Sequence, residues 1–508
     1  MKLRVGLFVL VLVLVGAPSA SALESRFVVS STAGRESLQG RCAAWGCTVS
    51  KAGGSSRRSE YLVGTPGSFD ARIYLGALRA FPGVVRVELA MPGLFGTTNV
   101  IVRTSLGAGG LRLLCLLHPC SVLYGLDGIL GQVYLVELLN VLDPVLSLNL
   151  FRLLPGILDA EIDQILSIPG LGAAAGEPPP ELTEDLPYPY YGSIVPMGYA
   201  LQPAASIVRL AEAQNRFAAL GTGIIADIDT GVDPTHPALS SALLPGYDFT
   251  RNQSGGSELN DLPGPAMPVG PGNTQAVRVN QYSVAMVDQY SVAMVDGPPY
   301  AAFGHGTEVA GILHLVAPQA MLLPLKAFHS DGTGLLSDIL RAIYYAAQNN
   351  ARVVNMSFDL TSYSPELAAA IGSAESQGVI FAASAGNDGE QTTVYPAGLP
   401  SVMGVASTND FDQRSSFSNY GNGIVWVAAP GEGIVTTYPF GTYAAVWGTS
   451  FSAPFVSGGA SLLLSIQPGA NQNVASLAIS VAQPLSQSGM GNGRLDLFGA
   501  LGSTLGHP

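Results

Sequence analysis

The sequence predicts an α/β domain with a central, mostly parallel sheet, preceded by two smaller α+β modules. The α/β prediction starts from residues 223–229, an apolar-rich run that stops at a glycine turn, as buried parallel strands do. Helices with apolar spacing are predicted from His305 and from Ser450. The modules are predicted from an ungapped repeat, in which residues 27–29 align with 100–102 and residues 61–63 with 134–136.

The length of 508 residues exceeds what one hydrophobic core usually supports, so we expect several domains. A proline- and glycine-rich stretch that begins at Pro169 marks an exposed linker. The predicted segments are a signal peptide (1–22), a first module (23–95), a second module (96–168), a linker (169–194) and a main domain (195–508).

The start of the chain and its charge indicate an exported protein. Lys2 and Arg4 precede an apolar run at 5–15, and a small-residue cleavage site follows at 20–22. This pattern is typical of a secretory signal peptide, and the run is too short to span a membrane. With 36 acidic and 23 basic residues, the net charge of −13 argues against nucleic acid or anionic membranes as partners. We expect a secreted monomer, extracellular or periplasmic, with no membrane anchor.

Each module has the order strand, helix, strand, strand, helix, strand, which is ferredoxin-like. In the first module, strands are predicted at 27–31, 48–50, 60–63 and 84–89, and helices at 34–44 and 71–80. Each copy carries two cysteines five positions apart. In an exported protein these predict the disulfides Cys42–Cys47 and Cys115–Cys120, with free thiols or pairing between copies as alternatives. Two thiols without nearby histidines make a poor zinc site.

Three segments place an acid, an imidazole and a hydroxyl in small-residue turns, around Asp229, His305 and Ser450. A serine hydroxyl becomes a nucleophile when an imidazole takes its proton and a carboxylate orients that imidazole. Asp229 is predicted at the carboxyl end of a parallel strand, where open α/β sheets place their sites. Ser450 is predicted at a helix amino end, where N–H groups can stabilise a developing oxyanion.

These segments, in this order, resemble those of subtilisin-like serine proteases. The resemblance implies a three-layer subtilisin-like domain and a serine endopeptidase that acts on proteins or peptides through an acyl-enzyme. It implies that Asp229 orients His305 and that His305 takes the proton of Ser450. Residues 381–389 resemble the oxyanion strand of the family, so Asn387 is expected to donate to the oxyanion. A sedolisin-like site would need a glutamate in place of His305.

The resemblance also implies substrate-binding roles for Ser357, Phe358 and Gly386. Asp359 stands where the family usually has glycine, which leaves the chemistry of the nearby pocket open. Asp227 is predicted on the same side of the strand as the triad aspartate, and its role is open. Only Asp229 carries the Thr-Gly turn.

The modules resemble the subtilisin propeptide, most clearly at residues 79–88 of the first module. This implies an intramolecular inhibitor and folding assistant that is removed by cleavage near the linker. The second module adjoins the main domain and is the better candidate for binding the cleft. The alternative for the first module is a β/α unit without an inhibitory role.

No cofactor or metal is expected. The predicted histidine helix runs without interruption through residues 310–318, so it lacks the loop that binds calcium in the best-known subtilisins. Ala238 follows His236-Pro237 and offers no side-chain oxygen. Asp248 or Asp261 could belong to a different calcium site.

Two further alternatives stay open. Residues 281–288 recur at once as 289–296, either as a duplication in a tolerant loop or as part of substrate recognition. A secreted binding or chaperone-like protein with a catalytically silent protease fold is the alternative to an enzyme.

Overall fold

The computed structural model describes residues 26–31, 39, 48–54, 59–64, 84–90, 97–128, 130–139, 144–167, 178–262, 285–286 and 300–505. The chain divides into two units, Met1–Met91 and Pro92–Pro508, and each is treated by itself. Several predictions fall outside the described residues. They are the signal peptide, the Cys42–Cys47 disulfide, the helices of the first module apart from Gln39, residues 169–177 of the linker, and the duplication at 281–296 apart from its short strand Ala285–Met286.

The first module contains a four-stranded antiparallel sheet. Its strands are Arg26–Ser31, Thr48–Gly54, Ser59–Gly64 and Val84–Ala90. The spatial order is second, third, first, fourth.

The second module repeats this architecture with both of its helices. Its strands are Thr97–Thr104, Cys120–Gly125, Val133–Leu139 and Ile157–Ile162, and its helices are Gly107–Leu117 and Pro144–Arg152. The sheet again has the order second, third, first, fourth. Leu111 and Phe151, one from each helix, pack on Val100 and Val136 of the sheet. A disulfide joins Cys115 to Cys120 where the first helix leads into the second strand.

The main domain is built on an eight-stranded sheet in which every neighbouring pair is parallel except the pair at one edge. In spatial order its strands are Gln253–Ser254, Tyr247–Asp248, Met321–Lys326, Ile224–Asp229, Ala351–Met356, Ile380–Ser384, Met403–Thr408 and Val427–Pro430. The sheet is therefore central and mostly parallel, as predicted.

Helices cover both faces of this sheet, which gives the predicted three layers. Ile225 belongs to one apolar core and the adjacent Ala226 to the other, because successive strand residues point to opposite faces. The described helices of the main domain are Met197–Ala200, Pro203–Ile207, Leu210–Phe217, His305–Val316, Leu336–Gln348, Pro365–Glu375, Thr449–Ile466, Gln472–Ile479 and Leu497–Thr504. The remaining described elements of residues 178–505 are strands Pro187–Tyr190, Ser193–Pro196, Ala285–Met286, Thr333–Leu335, Ile434–Tyr438 and Thr442–Val446, and short 3-10 helices Pro180–Thr183 and Glu258–Asp261. Part of the predicted linker is thus folded, because Leu182 and Tyr190 pack into the apolar core.

The histidine helix (His305–Val316) and the serine helix (Thr449–Ile466) pack against each other in one of these layers. Among the described residues, the serine helix is the one segment apolar and long enough to cross a membrane. Its 18-residue window is 89% buried, as expected of a core helix. It begins at Thr449, so Pro454 lies in its second turn.

The second module contacts the main domain through its last strands. Strand Ile165–Ser167 pairs antiparallel with strand Thr333–Leu335 of the main domain. Glu161 accepts hydrogen bonds from the Ser364 hydroxyl and the Glu366 N–H, at 2.7 and 3.0 Å. Asp163 accepts from the N–H and hydroxyl of Ser337, at 2.9 and 2.8 Å. The module thus places one carboxylate at the amino end of each of two main-domain helices, where N–H groups lack partners within the helix.

Candidate active site

Asp229 and His305 form a buried pair at the carboxyl end of a central strand. Asp229 ends strand Ile224–Asp229, and both of its carboxylate oxygens lie within hydrogen-bond distance of His305 Nδ1, at 2.8 and 2.9 Å. Both residues are almost inaccessible to solvent, with 1% and 2% of their surface exposed. A carboxylate at Nδ1 keeps the proton on that nitrogen and leaves Nε2 as the basic atom of the ring.

Two glycines allow the aspartate and histidine segments to approach this closely. Gly231, at φ +96°, lies in the left-handed region that favours glycine. A Cβ on Gly306 would collide with the carbonyl oxygen of Gly231. The Thr230 hydroxyl accepts from the Gly306 N–H at 3.0 Å and joins the two turns. The close approach of these two backbone segments therefore requires glycine at positions 231 and 306.

Ser450 lies at the second position of the serine helix and is buried. Its hydroxyl donates to the carbonyl of Ser357 at 3.2 Å, and the Ser357 hydroxyl donates to the carbonyl of Ser450 at 2.8 Å. His305 Nε2 has no hydrogen-bond partner among the described residues. The His305 ring packs 5.3 Å from the ring of Phe451, the residue after the serine. The predicted nucleophile and base are brought together, but the hydroxyl points to Ser357 instead of the imidazole.

Asn387 lies beside the start of the serine helix. Its amide oxygen accepts from both the N–H and the hydroxyl of Thr449, each at 2.8 Å. Two donors at Oδ1 fix the orientation of the amide. Nδ2 then lies on the side of Gly448, 3.5 Å from where a Cβ on that glycine would be. A side-chain N–H donor next to a helix amino end is suited to stabilising a tetrahedral oxyanion.

The predicted substrate-binding residues follow two neighbouring strands of the central sheet. Ser357 and Phe358 come directly after strand Ala351–Met356, and Gly386 lies two residues past strand Ile380–Ser384. The Gly386 N–H donates to the Thr449 hydroxyl at 3.2 Å. A Cβ on Gly386 would lie 2.7 Å from the carboxylate of Asp359, so the aspartate that replaces the expected glycine reaches across to the neighbouring strand end.

Asp227 forms its hydrogen bond with a different group of side chains from that contacted by Asp229. The Asn355 amide donates to Asp227 at 3.0 Å and also lies 3.0 Å from the Ser357 hydroxyl. Burial and the nearby Asp229 raise the pKa of Asp227 well above its ordinary value. Asp227 therefore supports the strand end beside Ser450. Unlike Asp229, it makes no hydrogen bond to the imidazole of His305.

Two buried glutamates near the triad were not identified from the sequence. Glu258 accepts from the Gly304 N–H at 2.6 Å and also bonds the hydroxyl of Thr307. Glu308 has no hydrogen-bond partner for either carboxyl oxygen among the described residues, and burial raises its pKa well above the ordinary value. Glu308 follows the His-Gly-Thr motif directly, so its position was readable from the sequence. Glu258 lies 47 positions before His305, and no local pattern points to it.

The two carboxylates that the sequence offered as calcium ligands pair with basic side chains. Arg251 contacts Asp248 at 3.2 Å and Asp261 at 2.5 Å, and Lys326 contacts Asp261 at 2.7 Å. Within the described ranges, no group of three or more His, Cys, Asp or Glu residues could hold a metal ion. The residues of this region thus fit an ion-pair cluster better than a cation site.

Comparison with known proteins agrees with this arrangement. The sequence model of the subtilase family, peptidase S8, matches residues 222–498. Thermitase from Thermoactinomyces vulgaris is 32% identical over 289 residues, which are 54% of this chain and 88% of thermitase. A thermophilic serine proteinase from Bacillus sp. (strain AK1) is 34% identical over 251 residues, which are 47% of this chain and only 52% of that protein.

A solved structure shares the fold. The crystal structure of fervidolysin from Fervidobacterium pennivorans superimposes with a TM-score of 0.60 at 22% identity, and the match covers 82% of this chain and 62% of fervidolysin. The family match covers more than half of the chain, and it includes the strand of Asp229, the histidine helix and the serine helix. The chain therefore belongs to the subtilase family of serine-type endopeptidases.

Proposed function

We propose that this protein is a secreted serine endopeptidase that hydrolyses peptide bonds through Asp229, His305 and Ser450. The observation that carries the proposal is the buried Asp229–His305 pair, whose imidazole packs beside the amino end of the serine helix. A carboxylate-oriented imidazole next to a serine at a helix amino end is the arrangement that activates a hydroxyl for acyl transfer.

The reaction begins when the Ser450 side chain rotates from the Ser357 carbonyl to His305 Nε2. His305 then takes the hydroxyl proton while Oγ attacks the substrate carbonyl, and Asp229 stabilises the imidazolium. Asn387 Nδ2 and the Ser450 N–H donate to the oxyanion. His305 returns the proton to the leaving amine, and a water molecule, activated by the same imidazole, hydrolyses the acyl-enzyme.

We further propose that the protein is made as a precursor in which the second module blocks the substrate cleft. Support comes from strand Ile165–Ser167, which pairs antiparallel with strand Thr333–Leu335 of the main domain as an extended peptide would. Leu166 in this strand is only 3% exposed and belongs to the apolar core that contains Phe358. The predicted linker, which starts at residue 169, follows this strand in the sequence, and self-cleavage near it would release the main domain.

The test compares the secreted protein with its Ser450→Ala variant. We expect the wild type to lose both modules, to label with a fluorophosphonate probe and to digest casein. We expect the variant to accumulate as a precursor that lacks only its signal peptide and to show neither activity. Intact mass locates the cleaved bond. A wild-type protein that is folded, free of its modules and unreactive toward both reagents would contradict the proposal and favour a catalytically silent binding protein.

A further inference from the structure

Glu258 is a fully buried carboxylate held between the two segments that carry Asp229 and His305. It opens the short helix Glu258–Asp261 and has no exposed surface. One oxygen accepts from the Gly304 N–H at 2.6 Å and lies 3.4 Å from the Thr230 hydroxyl. The other oxygen bonds the hydroxyl of Thr307. Glu258 thus contacts both the segment of Asp229 and the segment of His305, although it belongs to neither segment.

Each partner of Glu258 is adjacent to the reacting groups. Thr230 follows Asp229, Gly304 precedes His305, and Thr307 lies in the first turn of the histidine helix. The two threonine hydroxyls extend the connections, because Thr230 accepts from the Gly306 N–H at 3.0 Å and Thr307 from the Asp233 N–H at 2.8 Å. A shift of the Glu258 carboxylate would therefore move the aspartate turn relative to the histidine helix.

We propose that Glu258 is a positioning residue, which holds Asp229 and His305 in the relative geometry that general-base catalysis requires. This inference rests on the proposed peptidase function. Glu258 itself makes no contact with substrate or with the imidazole; it acts through the Thr230 turn and the Gly304–His305 junction. Misplacement of a catalytic group by about 1 Å can lower the rate about 10²-fold, so a residue that holds Asp229 and His305 in place affects kcat.

The ionised form of Glu258 suits this role, because all three of its neighbours donate hydrogen bonds to it. Burial raises the pKa of Glu258 to about 8, although Thr307 and the Gly304 N–H act to lower it. Lys326 also lowers this pKa, and Asp233 raises it. Two more carboxyl groups face it, since Glu258 in turn raises the pKa of both Glu308 and Asp227. Glu258 therefore loses its proton as the pH rises through about 8, and both of its oxygens can then accept hydrogen bonds.

The experiment measures kcat and KM of mature enzyme on a peptide substrate from pH 6 to 10. Glu258→Gln keeps the shape of the side chain but presents one acceptor oxygen instead of two. We expect its kcat to fall by a few-fold at pH 7 and by about 10- to 100-fold at pH 9.5, with KM within about twofold of wild type. The matched control is Glu366→Gln, the same change in a glutamate whose charged neighbours, Arg103, Asp159 and Glu161, belong to the second module and not to the triad segments. It should leave the kcat profile unchanged.

Thr307→Val tests the same inference if Glu258→Gln folds poorly. It removes one donor and leaves the carboxylate in place, so we expect a smaller loss that also grows with pH, over a range moved upward because the Thr307 donor lowers the pKa of Glu258. The loss in the double variant should be less than additive. Folding is checked by the thermal midpoint. The inference is overturned when wild type is active and Glu258→Gln has a kcat within twofold of wild type at pH 9.5, or when its loss does not depend on pH. An inactive wild type would instead contradict the proposed function.

Discussion

Ser357 and Ser450 exchange hydrogen bonds across the ends of a strand and a helix. Ser357 Oγ donates to the Ser450 carbonyl at 2.8 Å, while Ser450 Oγ donates to the Ser357 carbonyl at 3.2 Å. Pro454 explains the first of these two hydrogen bonds. In a regular helix the Ser450 carbonyl would accept from the N–H of residue 454, and Pro454 has none. Ser357 supplies the missing donor and thereby holds the first turn of the serine helix beside the substrate strand.

Ser357→Ala should therefore leave a buried carbonyl without its donor. We expect a loss of about 1–3 kcal/mol in the free energy of unfolding, because an unsatisfied buried acceptor costs its full desolvation penalty. Urea unfolding on the Ser450→Ala background measures this without self-digestion. The matched control is Ser376→Ala at an exposed helix end, which should change stability by less than about 0.5 kcal/mol. Equal losses in the two variants would contradict the assignment.

The second prediction concerns the triad and its neighbour Asp227. Ser450→Ala, His305→Ala and Asp229→Ala should each remove most of kcat, and double variants should be little worse than single ones, because the three groups act as a unit. Asp227→Asn should be much milder, since an amide can still accept from Asn355 Nδ2. The measurement is kcat on a peptide substrate. Our assignment of the triad fails when Asp227→Asn silences the enzyme and Asp229→Asn does not.

The sequence predicted those features that depend on neighbours along the chain. The strand that ends at Asp229, the helix that begins at His305 and the four strands of the first module all follow from local apolar patterns and turn residues. Contacts between distant segments were predicted only where the family resemblance implied them, as for Asp229 and His305. Glu258 contacts Gly304 across 46 positions, and Ser357 meets Ser450 across 93. The apolar periodicity of a sequence cannot predict such contacts, because they form only when the sheet brings its strand ends together.

The module interface gives the third prediction. Glu161 and Asp163 each accept hydrogen bonds at a helix start, and a lost cap of this kind costs about 0.5–2 kcal/mol. When the second module is added in trans to mature enzyme, Glu161→Ala with Asp163→Ala should raise the inhibition constant about tenfold or more. Circular dichroism of both module preparations checks that they fold equally.

The first module serves as a natural comparison in that assay. In the repeat register, Glu88 corresponds to Glu161, but Ala90 stands at the position of Asp163. The first module therefore lacks one of the two caps, and we expect it to inhibit more weakly than the second. Equal inhibition by the two modules, or an unchanged constant for the double variant, would contradict a docking role for these carboxylates.

Acid sensitivity is predicted from His314. This side chain is 1% exposed, and neither ring nitrogen has a hydrogen-bond partner among the described residues. Burial, helped by His236, lowers the pKa of His314 to about 4, whereas an unfolded histidine titrates near 6.5. The unfolded state therefore binds more protons between these values, and stability falls as the pH drops from about 6.5 to about 4. The loss from this residue is about 3 kcal/mol at most.

His314→Leu should flatten this part of the stability profile. We would measure urea unfolding of Ser450→Ala protein, with and without His314→Leu, between pH 7 and pH 4. His236 retains a smaller acid dependence, because burial also lowers its pKa. A variant with the same slope as the parent between pH 6.5 and pH 4 would show that His314 does not carry the acid sensitivity.

The last prediction is that calcium has little effect on the stability of the mature protein. Calcium needs 6–8 oxygen ligands, and the carboxylates of Asp248 and Asp261 already pair with Arg251 and Lys326. A cation there would have to displace two basic side chains, one of which is fully buried. A ligand that binds only the native state stabilises it by RT ln(1 + [L]/Kd), so a missing tight site removes the effect. We expect melting midpoints in EDTA and in millimolar calcium to agree within a few degrees. Arg251→Ala, which frees carboxylate oxygens, is the variant in which a calcium effect could emerge. A rise of about ten degrees or more in the parent protein, roughly 2.5 kcal/mol or more for a domain of this size, would show that a strong site exists.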